Sequence, residues 1–594
     1  MRYLLMIVCL VAVSAGACAQ GLHQQQAGPQ DLRPVPAPGM AELIRRYQTD
    51  RRYIDRFYSV GWSDDAMERT GKFLEEWTAR LDAMDYDALE ADERVDWHLL
   101  RRHVTWQGEG LALLRRRVAE MEPFLPFRSA LQELELARRR MEPCDSKAAA
   151  GVLADVTAEA KRIRERVEGG RKAEAERPEA ALMLTPVVAL RGAGVLDGLA
   201  WMLDGWAAYY DGFDPEFGWW TRKPREECQK ELRDLAKLLR EEIAGIKGKD
   251  EDPLVGDPIG AEGLRADLEG EALCYTPEEL IAIGEREFAW CEAEMKKAAA
   301  EMGLGDDWKA ALARAKEDQM PPGQQGAFVR DESRAVIEFL RTRDLVTIPA
   351  LCEEAWRVEM HSNETQKVLP FAVYGGQFMG VSYANEWQTH ADKMMSMRGN
   401  NRHFTHIVTP HELIPGHHLQ GYWEDRERAY RGLFSTPFLV EGWALYWEFR
   451  LWELGWAGAT GGDAALDRVG MLFWRMHRAA RIIVSLKFHL GQMTPAEMIE
   501  FLVERVGHER FGATSEVRRY IGGDYSPLYQ CGYMLGGLQI SAMRAEMVVK
   551  GGMSEKAFND AVLGQNSIPI ELMRAGLRGE KLPKDWKPGW RFGD

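Results

Sequence analysis

The chain runs to 594 residues, 46% of them hydrophobic, which is ample for a large buried core. Its net charge of −16 and pI near 5.5 argue against the basic face that nucleic-acid binding needs, since phosphate neutralisation supplies most of that affinity. The Arg115–Arg117 and Arg138–Arg140 clusters lie in helical patterns among acidic residues and read as solvated helix faces, so no nucleic-acid partner is expected.

Taken in chain order, Arg2 precedes an apolar run from Leu4 to Val13, followed by the small residues Ser14 to Ala17. That run is too short to span a bilayer and has the layout of a secretory signal. Ala17-Cys18-Ala19 offers a small-x-small site for cleavage before Gln20. Alternatively Cys18 is a lipidated first residue, although Ala15 poorly matches the large apolar residue usual three places before such a cysteine. Residues 1–19 are therefore read as a signal peptide, 20–40 as a flexible lead rich in Gln and Pro, and the protein as exported, periplasmic or extracellular. No later apolar stretch is expected to reach membrane-spanning length, and no transmembrane segment is expected after signal removal. Six cysteines remain beyond Cys9 and Cys18, dispersed and without a Cys-x-x-Cys pair, which argues against a cysteine-rich zinc site. Export would allow some of them to oxidise.

From Ala41 the helical period dominates. Stretches such as Glu133–Arg140 and Lys230–Ile246 mix Leu, Ala, Glu, Arg and Lys in amphipathic order. Thr276-Pro277-Glu278-Glu279 and Thr494-Pro495-Ala496-Glu497 each place a capping hydroxyl, a proline at the first helical position and a glutamate at the third. Loops are expected near 247–260, 321–325 and 455–462, and strands only at Val368–Val373 and Phe404–Val408. The fold class predicted is mainly α, with at most a small sheet.

His411-Glu412 opens the His-Glu-x-x-His pattern in which two histidines four apart share one helix face and the glutamate deprotonates water at a zinc ion. Here the fifth position is Pro415, which cannot bind metal, and His417 and His418 follow. In an ideal helix neither histidine returns to the His411 face close enough for Zn–N bonds of about 2.0–2.1 Å. Pro415-Gly416 therefore reads as a two-residue bulge spliced into the motif, with His417 the preferred second ligand and His418 the alternative. Glu441 lies 24 residues beyond His417, at the start of Glu441-Gly442-Trp443-Ala444-Leu445-Tyr446, and is the candidate third ligand; Glu448, two turns further, is the fallback.

These residues resemble the bacterial family called domain of unknown function 885, which goes with the helical glutamate-zincin metallopeptidases. Its pattern is His-Glu-x-x-Pro-Gly-His-His-x-Gln followed by Glu-Gly-Trp-Ala-x-Tyr, matched here from His411 to Gln420 and from Glu441 to Tyr446. Glu516 to Tyr520 resembles its Glu-x-x-Arg-Tyr segment, and Pro527 with Tyr533 to Gly536 a further stretch, where Leu528 and Tyr529 replace the usual Gly-Gln. Ser485 stands where an acidic residue is expected.

The resemblance implies a large helical metallopeptidase-like fold with a central cleft, its N-terminal helical region at 41–270 and its zinc-binding catalytic region at 271–594 joined in one unit. Together with the signal pattern, it points to an exported zinc peptidase acting on short peptides. Zinc would be held by His411, His417 and Glu441, Glu412 would be the base, and Tyr533 or, second, His489 would donate to the oxyanion. Arg519 is a candidate for binding a substrate carboxylate, or else an ion-pair partner of Glu516. Rival readings are a zinc amidohydrolase acting on a non-peptide amide, an inactive zinc-containing binding protein, and a metal-free helical scaffold. Carboxypeptidase, dipeptidase and oligopeptidase modes all stay open, as does the oligomeric state.

Overall fold

Helices begin where the sequence offers caps. Thr276 and Thr494 each accept from the third backbone N–H, while Glu279 and Glu497 reach back to the cap, so both capping boxes close as expected. The structure is a computed structural model that describes residues 39–171, 182–248, 252–366, 369–523 and 525–593. The signal peptide, Cys18 and all but the end of the lead fall outside the described residues. From Met40 the chain forms one unit, mainly helical, with one three-stranded sheet among the described residues.

In the sheet, Arg357–Met360 runs parallel to Phe378–Val381, and Val373–Tyr374 pairs antiparallel on the other side, with Val358 opposite Met379 and Val373 opposite Gly380. Only Val373 of the first expected strand belongs to it, and Val368 lies outside the described residues. The second expected strand, Phe404–Val408, is helical, inside Arg402–Glu412. Thr405, Ile407 and Val408 are β-branched and favour a strand locally, a preference that the buried packing of the helix overrides. Met379 and Val381 pack with Val329 and Leu413, which sets the sheet against the end of the Arg402–Glu412 helix.

Packing gathers most of the buried apolar residues described into two cores. One core joins Met40–Val104 with side chains from Leu264 to Leu582. A second is built almost wholly within 118–239, from helices such as Ser146–Gly170, Pro186–Tyr210 and Pro215–Lys237. By length and composition the Pro186–Tyr210 helix could cross a membrane, which corrects the expectation that no such stretch exists. Half of its most apolar window is buried, with Leu196, Leu199, Leu203 and Trp206 in the second core, as in a core helix of a folded bundle. The six cysteines of the described residues are all free.

Candidate metal centre

The first histidine is set by a helix that stops early. Asn401 caps Arg402–Glu412, accepting from the N–H groups of His403 and Phe404. Rather than bulging and continuing, the helix ends at Glu412, and the chain turns through Leu413 and a cis Ile414–Pro415 bond into a new helix, His417–Glu424. Gly416 closes the turn: its N–H donates to the Pro410 carbonyl at 2.9 Å, and a Cβ there would lie 1.7 Å from the His411 carbonyl oxygen. Only glycine fits that approach. The Trp443 indole N–H donates to the Pro415 carbonyl at 2.8 Å, tying the turn to the Glu-Gly-Trp segment. Folded in this way, the His411 and His417 rings stand perpendicular with centroids 4.9 Å apart.

Glu441 comes from the Pro437–Glu453 helix, which starts at the Thr436 cap. This helix packs backbone to backbone on Tyr529–Arg544 through glycines. A Cβ on Gly536 would lie 1.8 Å from the Phe438 carbonyl oxygen, and one on Gly442 would lie 2.6 Å from the Gly536 Cα. Larger residues would push the helices apart and carry Tyr529 and Tyr533 away from Glu441.

The three donors converge. Glu441 Oε2 lies 3.2 Å from His417 Nε2 and 3.7 Å from His411 Nε2, and one donor atom from each residue falls within 4.8 Å of the other two. Neighbouring donors around a tetrahedral zinc with bonds of about 2.0–2.1 Å sit roughly 3.3 Å apart. Glu441 Oε2 is buried with no hydrogen bond of acceptable geometry, as a carboxylate oxygen waiting for a cation would be. His411 donates through Nδ1 to Glu448 Oε1 at 2.7 Å, which leaves Nε2 facing the other donors. The fallback ligand Glu448 thus supports His411. His418 points elsewhere: Nε2 donates to the Cys352 carbonyl at 2.8 Å and Nδ1 accepts from Tyr374 Oη at 3.3 Å, so both its nitrogens are engaged.

Electrostatics agree with a site that calls for positive charge. Burial lowers the pKa of His411, yet Glu441 and Glu448 lift it to about 9. Glu441 is held well below the usual carboxylate range by His417 and His411, against its burial. Burial pushes Glu412 upward, opposed by His411, His417 and Arg478.

Tyr533 lies beside the donors. Its ring is nearly parallel to His411, with centroids 6.3 Å apart, and the guanidinium carbons of Arg478 and Arg481 each stand 4.4 Å from its centre. Tyr529, one of the residues that depart from the family pattern, donates its hydroxyl to Glu441 Oε1. Arg519 takes the ion-pair role: it binds Glu516 at 3.0 Å and reaches Tyr525 Oη at 3.4 Å. His489 is not brought to the donors. It ends the Ala464–His489 helix, its charged neighbours are Asp257 and Arg117, and both its ring nitrogens are buried without a hydrogen bond.

Three contributors, Trp443, Arg478 and Arg481, are given no role by the sequence, and Tyr529 stands out there only as a departure from the family pattern. A signal existed for the arginines, because two guanidiniums in His477-Arg478-Ala479-Ala480-Arg481-Ile482-Ile483 are costly in a helix with so few polar neighbours.

The family model described as "Bacterial protein of unknown function (DUF885)" matches residues 48–577. No curated protein matches the sequence. Among solved structures, the chain resembles "a putative lipoprotein of unknown function from Shewanella oneidensis", with TM-score 0.66, 17% identity, and coverage of 91% of this chain and 100% of that one. It also resembles "the putative lipoprotein from Colwellia psychrerythraea", with TM-score 0.55, 15% identity, and coverage of 91% and 98%. At such identities the likeness is one of fold.

Proposed function

The chain belongs to this family of bacterial proteins of unknown function (DUF885), and we propose that it is an exported zinc-dependent peptidase acting on short peptides. The observation that carries the proposal is the meeting of His411 Nε2, His417 Nε2 and Glu441 Oε2, the last a buried carboxylate oxygen without a well-aligned hydrogen bond, with Glu412 alongside. When bound there, zinc supplies Lewis acidity, acidifying water and polarising a carbonyl. Glu412 accepts a proton from the attacking water and passes it to the leaving amine. Its burial favours the protonated form, which suits the second half of that transfer. Tyr533, pushed up to about 12 chiefly by burial, keeps its hydroxyl proton for the developing oxyanion. Glu448 orients His411 and Tyr529 orients Glu441. Export rests on the N-terminal signal pattern and fits the naming of the two structures of like fold as lipoproteins.

The test is a digest of a peptide pool, read by mass spectrometry, with and without chelator. The purified chain is expected to carry about one zinc and to cleave only while zinc is present. Glu412→Gln should keep the metal and lose about 10²–10⁴ of turnover, the range of general-base contributions. His417→Ala should lose zinc, whereas His418→Ala should retain it. Full activity in Glu412→Gln would end the mechanism. A zinc-loaded chain inert on all peptides yet active on other amides would move the assignment to an amidohydrolase.

A further inference from the structure

Three arginines surround Tyr533, and only one carboxylate is committed to them. Glu516 holds Arg481 at 2.7 Å and Arg519 at 3.0 Å. Arg481 is further engaged by His477 and Tyr520, each 3.0 Å from its Nε. Arg478 is different. It is only 7% exposed, its Nε is buried without a partner, and among the described residues no carboxylate lies within ion-pair distance of it. It rests on two aromatic rings, Trp474 at 5.2 Å and Tyr533 at 4.4 Å. Glu412 senses its charge without touching it. A buried guanidinium that lacks its counter-charge is costly, and a ligand carboxylate would relieve that cost.

We propose that Arg478 receives the free C-terminal carboxylate of a bound peptide, so that the enzyme works as a carboxypeptidase. The inference rests on reading the metal centre as a peptidase site. The guanidinium carbon lies 4.4 Å, and the His411 ring 6.3 Å, from the centre of the Tyr533 ring, and a peptide residue spans about 3.3–3.6 Å. A carboxylate held on Arg478 therefore brings the C-terminal end of a peptide within reach of the donors. The guanidinium fork matches a carboxylate in two parallel hydrogen bonds, which a primary ammonium cannot reproduce. In the reaction the last C–N bond breaks, water's oxygen joins the acyl carbon, and Glu412 delivers a water proton to the departing amine. The products are a shortened peptide acid and one free amino acid.

The experiment compares N-acylated dipeptides ending in a free acid with the same peptides ending in an amide, on the zinc-loaded full chain. The wild type should favour the acid by about 10–100-fold in kcat/KM, the worth of hydrogen bonding between charged partners. Arg478→Gln should bring the acid down to the level of the amide, largely through KM, and Arg478→Lys should fall between them. Equal rates on acid and amide in the wild type would overturn the proposal while leaving the peptidase reading intact, and so would a preference that survives in Arg478→Gln.

A second measurement does not depend on turnover. Calorimetric binding of N-acetyl-phenylalanine to the wild type should be at least about tenfold tighter than that of its amide, and the difference should vanish in Arg478→Gln. Should no peptide be cleaved, the peptidase reading fails, and this binding pair decides on the carboxylate site alone. Equal binding of acid and amide refutes it. If Arg478→Gln does not fold by circular dichroism, the acid-to-amide ratio in the wild type and in Arg478→Lys decides the question.

Discussion

The bundle within 118–239 and the region around the three donors are both helical and both well buried, but they are assembled on opposite terms. The bundle core is aliphatic and aromatic, and Arg128 and Glu135 are the buried charged side chains among its described residues. The donor region buries His411, Glu412, Glu441, Glu448, His477, Arg481 and Glu516 within a few helices. A core of the first kind tolerates a change of volume at a cost that scales with the cavity. One of the second kind depends on each charged group keeping its partner, because a buried charge without one is far more expensive than a missing methylene.

The largest effect expected is at Gly536. Gly536→Val would drive side-chain atoms into the Phe438 carbonyl, which cannot step aside as a flexible side chain would. It should cost more than about 4 kcal/mol, in the exceptional range for one substitution, and abolish zinc binding; a variant with near-normal denaturant midpoint would contradict the account of helix contact. Leu203→Ala in the bundle should cost about 2–4 kcal/mol through its cavity while leaving zinc affinity unchanged. A matching loss of zinc in that variant would show the two regions to be coupled.

Glu448→Ala is expected to act in the reverse sense, lowering zinc affinity about 10–100-fold by freeing the His411 ring. Competition titration against a chelator measures this directly. An unchanged affinity would remove Glu448 from the centre.

Acid should also separate the regions, more gradually. Residues 118–239 contain no histidine. Elsewhere burial lowers His98 and His103 to about 4 and His508 to about 3. A folded-state pKa below the unfolded value, about 6.5, means that the unfolded chain takes up protons first. The stability these groups contribute is present above pH 6.5 and drains away as pH falls toward 4 and 3. Hydrogen exchange followed by segment should show protection lost around His98, His103 and His508 before it is lost in the bundle. Simultaneous loss would argue that the bundle has no independent stability.

Much of this was legible in the chain itself. Capping boxes at Thr276 and Thr494 are local, set by residues three apart, and both form. The meeting of His411, His417 and Glu441 was readable because only a few residue types can serve as metal ligands and the motif names these three. The turn at Leu413–Gly416 was harder. A proline and a glycine suit a bulge as well as a break, and the close approach of Gly416 to His411 exists only after folding. The helical state of Phe404–Val408 was hidden because Thr405, Ile407 and Val408 are β-branched and favour a strand locally, while tertiary packing fixes the helix. The roles of Tyr529 and Arg478 depend on which helices touch, and a single sequence does not contain that pairing.

The hydrogen bond from Trp443 to the Pro415 carbonyl has a consequence for the order of events. It joins the turn that carries His417 to the helix that carries Glu441, using protein atoms alone. The conformational entropy of bringing the two segments together is thus met during folding, not during ligation. In zinc fingers the reverse holds, since the ion must gather its ligands and binding free energy becomes folding free energy. Here an arriving ion would find its ligands already gathered. Its removal would vacate the centre and leave the architecture standing.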